Sequence, residues 1–302
     1  MSKLIQNAVE KNNAPAMQQG GCLFTKATRY KAKARLALMG VTGSGKTLSA
    51  LYLAYGLTGD WSKVALIDTE HERARFYANR SELGTGEFYY APLTPPYSVE
   101  RYKEYVAGAE ALVGPDGCVI IDSLSHAWNN EGGVLDYKEK IVATTNKNSY
   151  TAWQDAGKVQ NSLINSILST DCHTIVTMRS KMDYILVENE KGKMEPRKVG
   201  LAPVQRDDTE YEFDIIFDID RSHKAQITKD TSFISEYGEK ITPKLGESLR
   251  EWLDEGVEPP APETCEICGV IIRPFKTASG TTPYKSRVDS NNDVCKTLAG
   301  MP

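Results

Sequence analysis

The stretch GVTGSGKT, residues 40–47, constrains the fold of this chain more than any other segment. The apolar run ARLALMG leads into it, and the segment KTLSALYLAYGL that follows has apolar residues at helical spacing. Glycines let a backbone curl so that its N–H groups point at an anion, and a helix N-terminus adds partial positive charge. The pattern therefore predicts a strand, a phosphate-binding loop and a helix, in that order.

The residues of this loop have separate predicted roles. Lys46 would place a full positive charge near the outer phosphates of a nucleotide, and Thr47 would offer its hydroxyl to Mg²⁺. A chance glycine-rich turn would have no reason to lie between a strand and a helix. We therefore expect a nucleotide and Mg²⁺ as cofactors, with the backbone that surrounds the phosphates supplied by Gly40, Val41, Thr42, Gly43, Ser44 and Gly45.

Two further segments end in carboxylates. CVIIDS supplies Asp122, which would hold the water shell of Mg²⁺ or, in the structural alternative, cap a turn. VALIDTEHERARFYA predicts a strand followed by a helix, with Asp68 and Glu70 where they join. Glu70 either caps that helix or orients a water molecule against a phosphate. The order of the motifs favours catalysis for Glu70 and leaves capping to Asp68.

Apolar strands and amphipathic helices alternate from residue 34 to about residue 220, which predicts an α/β fold with a mostly parallel sheet. Beyond Met178 the pattern predicts a hairpin with its turn near residues 190–193. FDIIFDID and AQITKD then predict two more strands, both expected to be antiparallel. Domain boundaries are expected as a loose arm over 1–22, a nucleotide-binding domain over 23–253, a proline-rich linker over 254–263 and a small module over 264–302.

The C-terminal module contains three cysteines. Cys265 and Cys268 form the knuckle CEICG that is typical of zinc ribbons, and Cys295 follows where a second knuckle would begin. Leu298 occupies the position of the fourth ligand. Two alternatives stay open: Zn²⁺ held by three cysteines with Asp293, water or another subunit, or a degenerate ribbon that holds no metal.

The order of loop, helix, strand ending in Asp-Thr-Glu, helix and strand ending in Asp-Ser resembles the RecA-like ATPases. VALIDTEHERARFYA is similar to the segment that carries their catalytic glutamate, and CVIIDSLSHAW to their second acidic strand. The resemblance covers residues 33–220 and is nearest to phage-encoded RecA-like ATPases of the AAA type, some of which act in single-strand annealing and recombination.

This resemblance implies a RecA-like P-loop NTPase core that hydrolyses ATP with Glu70 as general base and Lys46 on the phosphates. It also implies single-stranded DNA as a partner, assembly into a ring or filament, and contact with a single-strand DNA-binding or replication protein. The chain departs from the family at the strand TIVTMRSK, where Arg179 follows Thr177 and Met178 instead of the sensor glutamine. Arg179 would contact the phosphate in its own subunit, reach a neighbouring subunit, or pair with DNA.

In the family, the loops that match residues 124–150 and 180–208 face the DNA. The charges of the second loop are mixed. Two other stretches combine basic and aromatic residues, which suits single strands, although a solvated surface is the alternative. These are residues 25–35, with Lys26, Arg29, Lys31, Lys33 and Arg35, and residues 267–288, with Arg273, Phe275, Lys276, Tyr284, Lys285 and Arg287.

The net charge of −4 argues against a protein coated with basic residues, and no apolar run is long enough to cross a bilayer. The N-terminus is too polar for a secretory signal, so we expect a cytoplasmic protein, in the bacterial host if it is phage-encoded. Three functions follow in order of preference: a DNA-stimulated ATPase, a nucleotide-switched loader or scaffold with little turnover, and a small-molecule kinase. The kinase ranks last because no lid or acceptor pocket is evident.

Overall fold

The computed structural model describes residues 26–145, 148–188, 194–207, 209–234, 236–260, 276–277 and 280–281. The chain divides into two compact units. The larger is Lys31–Gly256, and the smaller joins the residues up to Tyr30 to those from Val257 onward. The predicted cysteine ligands Cys265, Cys268 and Cys295 lie outside the described residues, and so do most residues of the basic stretch 267–288.

An eight-stranded sheet organises the larger unit, in the order β3-β2-β4-β5-β1-β7-β8, with β6 paired to β5. The neighbouring pairs β3–β2, β2–β4, β4–β5 and β5–β1 are all parallel. Strand β6 is antiparallel to β5, and β8 is antiparallel to β7. This confirms a mostly parallel sheet extended by antiparallel strands. The bounds are β1 Arg35–Gly40, β2 Val64–Asp68, β3 Tyr89–Pro92, β4 Cys118–Asp122, β5 His173–Glu188, β6 Met194–Pro203, β7 Ile215–Ile219 and β8 Ala225–Asp230.

The prediction that β7 is antiparallel was wrong. It pairs with β1 in parallel, with Gly40 opposite Ile219, and only β8 runs antiparallel to it. Four of the five residues of β7 are buried, and its sequence lacks the alternation of apolar and polar residues that is typical of a half-exposed strand. A strand buried on both faces suits the parallel core, where helices cover each side.

The described residues form six α-helices, and their bounds are α1 Lys46–Thr58, α2 Val99–Val113, α3 His126–Asn129, α4 Val134–Thr145, α5 Ser149–Leu168 and α6 Pro243–Asp254. Local sequence sets several of these ends. The side chain of Ser98 accepts a hydrogen bond from the Arg101 N–H before α2, and Asn148 accepts one from the Thr151 N–H before α5. No helix in the described part of the chain is both long and apolar enough to span a bilayer.

Two apolar layers cover the two faces of the sheet. One contains α1 and α6, with Leu53 and Leu249 buried in it, and the other contains α2 and α5, with Val106 and Leu163. Strand β1 supplies both layers, because its successive side chains point to opposite faces. Because β1, β2, β4 and the core part of β5 run parallel, their carboxyl ends meet at one edge of the sheet.

The helix predicted after β2 was also wrong. Short 3₁₀ turns occupy Arg73–Tyr77 and Ser81–Leu83 instead. His71 and Glu72 have positive φ angles of 59° and 62°, and such left-handed residues do not continue into an α-helix. The chain then reaches the short strand β3, which the sequence did not predict.

Candidate functional site

The loop between β1 and α1 has the backbone geometry that its glycines allow. Gly43 and Gly45 have φ angles of 81° and 90°, in the region that favours glycine. A side chain at Gly40 would lie 2.5 Å from the carbonyl oxygen of Ile219, so only glycine fits there. No side chain caps α1, whose first N–H groups therefore face the loop and suit an anion.

Lys46 lies at the start of α1 and is largely buried. Its ammonium donates hydrogen bonds to the carbonyl oxygens of Gly40, at 2.9 Å, and Val41, at 3.0 Å. Burial lowers the pKa of Lys46, while the nearby carboxylates of Asp122 and Glu70 raise it. The ammonium is therefore a positive charge enclosed by the loop.

Asp122, at the end of β4, is held by two threonine hydroxyls. Thr47 donates to its Oδ2 at 2.5 Å, and Thr177 on β5 donates to its Oδ1. Burial raises the pKa of Asp122, whereas these hydrogen bonds lower it. The Thr47 hydroxyl and the Asp122 carboxylate bring hard oxygen donors together beside the phosphate loop. This donor set fits Mg²⁺, which takes one or two carboxylates and otherwise water or phosphate oxygens.

Asp68 and Glu70 have different surroundings. The buried carboxylate of Asp68 accepts hydrogen bonds from the backbone N–H groups of Glu70, at 2.6 Å, and Ala74, at 3.1 Å. Asp68 therefore fixes the backbone of the turn after β2. The side chain of Glu70 takes no part in this capping and faces the phosphate cleft.

Arg179, at the end of the core part of β5, lies in the same cleft as Glu70. Its Nε donates to Glu70 Oε1 at 2.7 Å, and its backbone N–H donates to the Ser125 hydroxyl at 2.9 Å. Burial alone would raise the pKa of Glu70, but the hydrogen bond and charge of Arg179 lower it. The same hydrogen bond raises the pKa of Arg179. The two side chains form an ion pair inside one subunit.

A cleft of about 170 Å³ brings these groups together. The predicted residues that line it are Thr42, Gly43, Gly45, Lys46, Thr47, Glu70, Asp122 and Arg179. Gly40, Val41 and Ser44 contribute to the loop without lining this cleft. Arg73 and Tyr77 also line it, and the sequence did not identify them.

A buried network supports the cleft from behind. The Thr69 hydroxyl accepts a hydrogen bond from the Ser123 N–H at 2.8 Å and lies 2.7 Å from Nδ1 of His126. Tyr102 donates to the carbonyl oxygen of Ser123 at 3.0 Å. Burial lowers the pKa of His126, which favours its neutral form. The network joins the ends of β2 and β4, and so sets the spacing between Glu70 and Asp122.

Two cations of the basic stretch 25–35 have partners within the fold. The guanidinium of Arg35 donates to the carbonyl oxygens of Leu168, Thr170 and Cys172 at the end of α5. Lys33 lies 3.6 Å from the carboxylate of Asp116. These two cations have structural partners, and this weakens the stretch as a nucleic-acid surface.

The comparisons with known proteins agree with this geometry. A family model described as the AAA domain matches residues 32–237, more than two thirds of the chain. No curated protein matches the sequence. The matched residues include the phosphate loop, Glu70, Asp122, Arg179 and the sheet that carries them. This chain therefore belongs to the AAA domain family of P-loop ATPases.

Proposed function

We propose that this protein is a Mg²⁺-dependent ATPase that acts on single-stranded DNA and transfers the third phosphate of ATP to water. One observation carries the hydrolytic part: the phosphate loop, Asp122 and the carboxylate of Glu70 line the same cleft. A carboxylate beside the outer phosphates can accept the proton of an attacking water molecule. A kinase would need a place for another acceptor here.

The residues of the cleft divide the reaction between them. The loop N–H groups and Lys46 would bind the phosphates, and Thr47 and Asp122 would hold Mg²⁺, which would neutralise charge on the phosphates. Glu70 accepts one proton from water as the water oxygen bonds to the third phosphorus. The bond between that phosphorus and the bridging oxygen breaks, and ADP leaves with the bonding electron pair.

Arg179 restrains Glu70 in this mechanism. The ion pair at 2.7 Å lowers the pKa of Glu70 and so makes it a weaker base. A third phosphate carries more negative charge than one carboxylate and would compete for the guanidinium. Transfer of Arg179 to the phosphate would free Glu70 for water at the moment when ATP is in place.

ATP hydrolysis, measured with and without single-stranded DNA, tests this proposal. Glu70→Gln should lower kcat at least about 100-fold while nucleotide binding is kept, since general base catalysis contributes about 10²–10⁴-fold. Glu72→Gln is the matched control, because Glu72 pairs with Arg75 outside the cleft. Wild-type protein that binds ATP without turnover would instead support the loader or scaffold. Turnover that DNA leaves unchanged would remove DNA from the proposal.

An aromatic patch supports single-stranded DNA as the partner. We define it as Trp128, Tyr137, Lys138, Tyr150 and Trp153, contributed by α3, α4 and α5. The rings of Trp128 and Trp153 stack with centroids 6.2 Å apart, and the Lys138 ammonium lies 4.6 Å from the Trp153 centroid. Tyr150 is 73% exposed. Exposed rings beside a cation can stack with bases and contact a phosphate.

The edge of the sheet supports self-assembly as part of the same proposal. Strand β3 ends the described strand order, so one side of it can pair with another chain. An apolar groove of about 260 Å³ lies beside it, with Tyr89 and Leu112 on its rim. Leu112 is 55% exposed and Tyr89 45%. A second copy of this chain is the proposed occupant.

A further inference from the structure

Arg73 is a cation of the phosphate cleft that the proposed mechanism does not use. It lines the cleft together with the phosphate loop, Glu70 and Asp122. Its side chain has no hydrogen bond or ion pair to another residue in the described part of the chain. The residue is also exposed. A ligand in the cleft can therefore reach the guanidinium directly.

The acidic residues that precede Arg73 have other partners. Glu70 accepts a hydrogen bond from Nε of Arg179 at 2.7 Å. Glu72 lies 3.2 Å from Nη1 of Arg75, two positions further along the same turn as Arg73. Both carboxylates are therefore engaged elsewhere, and neither of them neutralises Arg73.

The backbone that carries Arg73 is held in place by the turn after β2. Two left-handed residues, His71 and Glu72, precede it, with φ angles of 59° and 62°. In the 3₁₀ turn that begins at Arg73, the N–H of the buried Ala74 donates to Asp68 Oδ2 at 3.1 Å. Arg73 therefore projects from a fixed backbone, and a ligand need not order that backbone when it binds.

The charges of the cleft favour an anion as the partner of this guanidinium. Lys46, Arg73 and Arg179 contribute three positive charges, and Glu70 and Asp122 two negative charges, so the formal sum is +1. Lys46 already donates to two carbonyl oxygens of the loop, and Arg179 is paired with a carboxylate. Arg73 therefore offers a positive charge that an anion can bind without first breaking a contact within the described part of the protein.

We propose that Arg73 binds the phosphates that ATP and ADP share, in its own subunit. A guanidinium can donate two parallel hydrogen bonds to phosphate oxygens. Because Arg73 exchanges no partner, we expect the same contact before and during hydrolysis, so that it contributes to affinity and not to the rate of the chemical step. Arg179, which must leave Glu70, has the opposite role. The inference rests on the nucleotide-binding part of the proposed function and needs neither turnover nor DNA.

Binding of ADP with Mg²⁺ tests the inference, because it requires no turnover. Calorimetry should show an affinity for ADP at least about tenfold lower in Arg73→Ala than in the wild type, since charge-assisted hydrogen bonds are the stronger class. Arg73→Lys keeps the charge without the planar fork and should recover part of the affinity. Arg75→Ala is the matched control, because Arg75 lies on the same turn, pairs with Glu72 and is outside the cleft. It should bind ADP as the wild type does.

Two further measurements separate a phosphate contact from a structural role. The dissociation constant of the wild type for ADP should rise more steeply with KCl concentration than that of Arg73→Ala, because salt screens charge pairs. In steady-state assays Arg73→Ala should raise KM for ATP at least about tenfold and keep kcat within about threefold of the wild type, as loss of uniform binding does. Arg179→Ala should instead lower kcat.

The outcomes distinguish this inference from the proposed function. An ADP affinity that is equal in the wild type and in Arg73→Ala, or a loss that Arg75→Ala reproduces, would overturn the inference. A loss confined to protein concentrations at which the chain assembles would assign Arg73 to the nucleotide of a neighbouring subunit, and would overturn it as well. A lower ADP affinity in Arg73→Ala, when the wild type binds ATP without hydrolysing it, would support the inference and overturn the hydrolytic part of the proposed function.

Discussion

At the scale of single residues, Arg179 is the side chain whose position most changes the interpretation of the site. Sequence alone left it with three possible contacts, and the fold brings it to Glu70 in the same subunit. No local pattern could show this, because the two residues are 109 positions apart. The loop residues were predictable for the opposite reason, since a phosphate loop is encoded within eight consecutive positions.

The Arg179–Glu70 pair makes a prediction about pH. Arg179 lowers the pKa of Glu70, so its removal should raise that pKa and move the acid limb of the kcat/KM profile to higher pH. Arg179→Ala should also lower kcat by about 10²-fold through the lost phosphate contact. Steady-state ATPase assays between pH 4.5 and 8 measure both effects. Arg221→Ala, at an exposed position, is the control, and an unmoved acid limb would contradict the pairing.

His173 leads to a prediction about stability. Its Nδ1 accepts a hydrogen bond from the Ala34 N–H at 3.0 Å, and burial lowers the pKa of His173 to about 3. The histidine of the unfolded chain has a pKa of about 6.5, so between about pH 3 and pH 6.5 it binds more protons than His173 of the folded chain does. The free energy of unfolding therefore falls as the pH drops through this range. From pH 7 to pH 5 this group should cost the folded state about 2 kcal/mol.

The variant His173→Asn isolates this effect, because its amide oxygen can still accept from Ala34 but does not titrate. Denaturant unfolding at pH 7 and pH 5 gives the two free energies of unfolding. The loss between them should be smaller in the variant than in the wild type. An equal loss in both proteins would assign the acid sensitivity to other groups.

At the scale of elements, the three longest helices and the buried strands were predictable, but the sequence did not predict α3, α4, α6 or the irregular turn after Glu70. Helices α1, α2 and α5 have apolar residues at helical spacing, and the structure confirms them. The turn after β2 depends on the left-handed His71 and Glu72 and on hydrogen bonds to Asp68, which a periodicity cannot reveal. That irregular backbone is what directs Glu70 into the cleft while Asp68 faces the turn.

The elements α3, α4 and α5 make a prediction about DNA through the aromatic patch. Trp153→Ala should weaken binding of a single-stranded oligonucleotide by about 5-fold or more, because one stacked base contributes about 1–3 kcal/mol. Fluorescence anisotropy with a labelled dT 20-mer measures this. Phe233→Ala removes another exposed aromatic residue, which packs against Trp252, and should leave binding unchanged. Equal affinities for all three proteins would place the strand on a different surface.

At the scale of the whole molecule, the parallel order of the sheet explains why the site could be anticipated from separate motifs. Strand ends in a parallel sheet meet at one edge, so residues 46, 70, 122 and 179 converge although they are far apart in sequence. Supporting contacts, such as those of Thr177 with Asp122, depend on which strands are neighbours. Strand order is a property of the complete fold, and the sequence motifs do not contain it.

Assembly is tested at this scale. Leu112→Asp places a charge on the rim of the apolar groove beside β3, and it should convert a multimer into a monomer. Light scattering coupled to size-exclusion chromatography measures the mass. Val142→Asp, at an exposed position on α4, is the matched control and should keep the wild-type mass. A wild-type protein that is monomeric with ATP and with DNA would contradict assembly through this edge.

Strand β5 has a mechanical consequence. Its inner part carries Thr177 and Arg179 within the sheet, and from Ser180 to Glu188 it pairs with β6 as an arm of about 30 Å. The arm meets the sheet near the hydrogen bond from the Val204 N–H to the Arg179 carbonyl. Because one continuous strand joins the arm to Arg179, a displacement of the arm is expected to alter the hydrogen bond between Arg179 and Glu70.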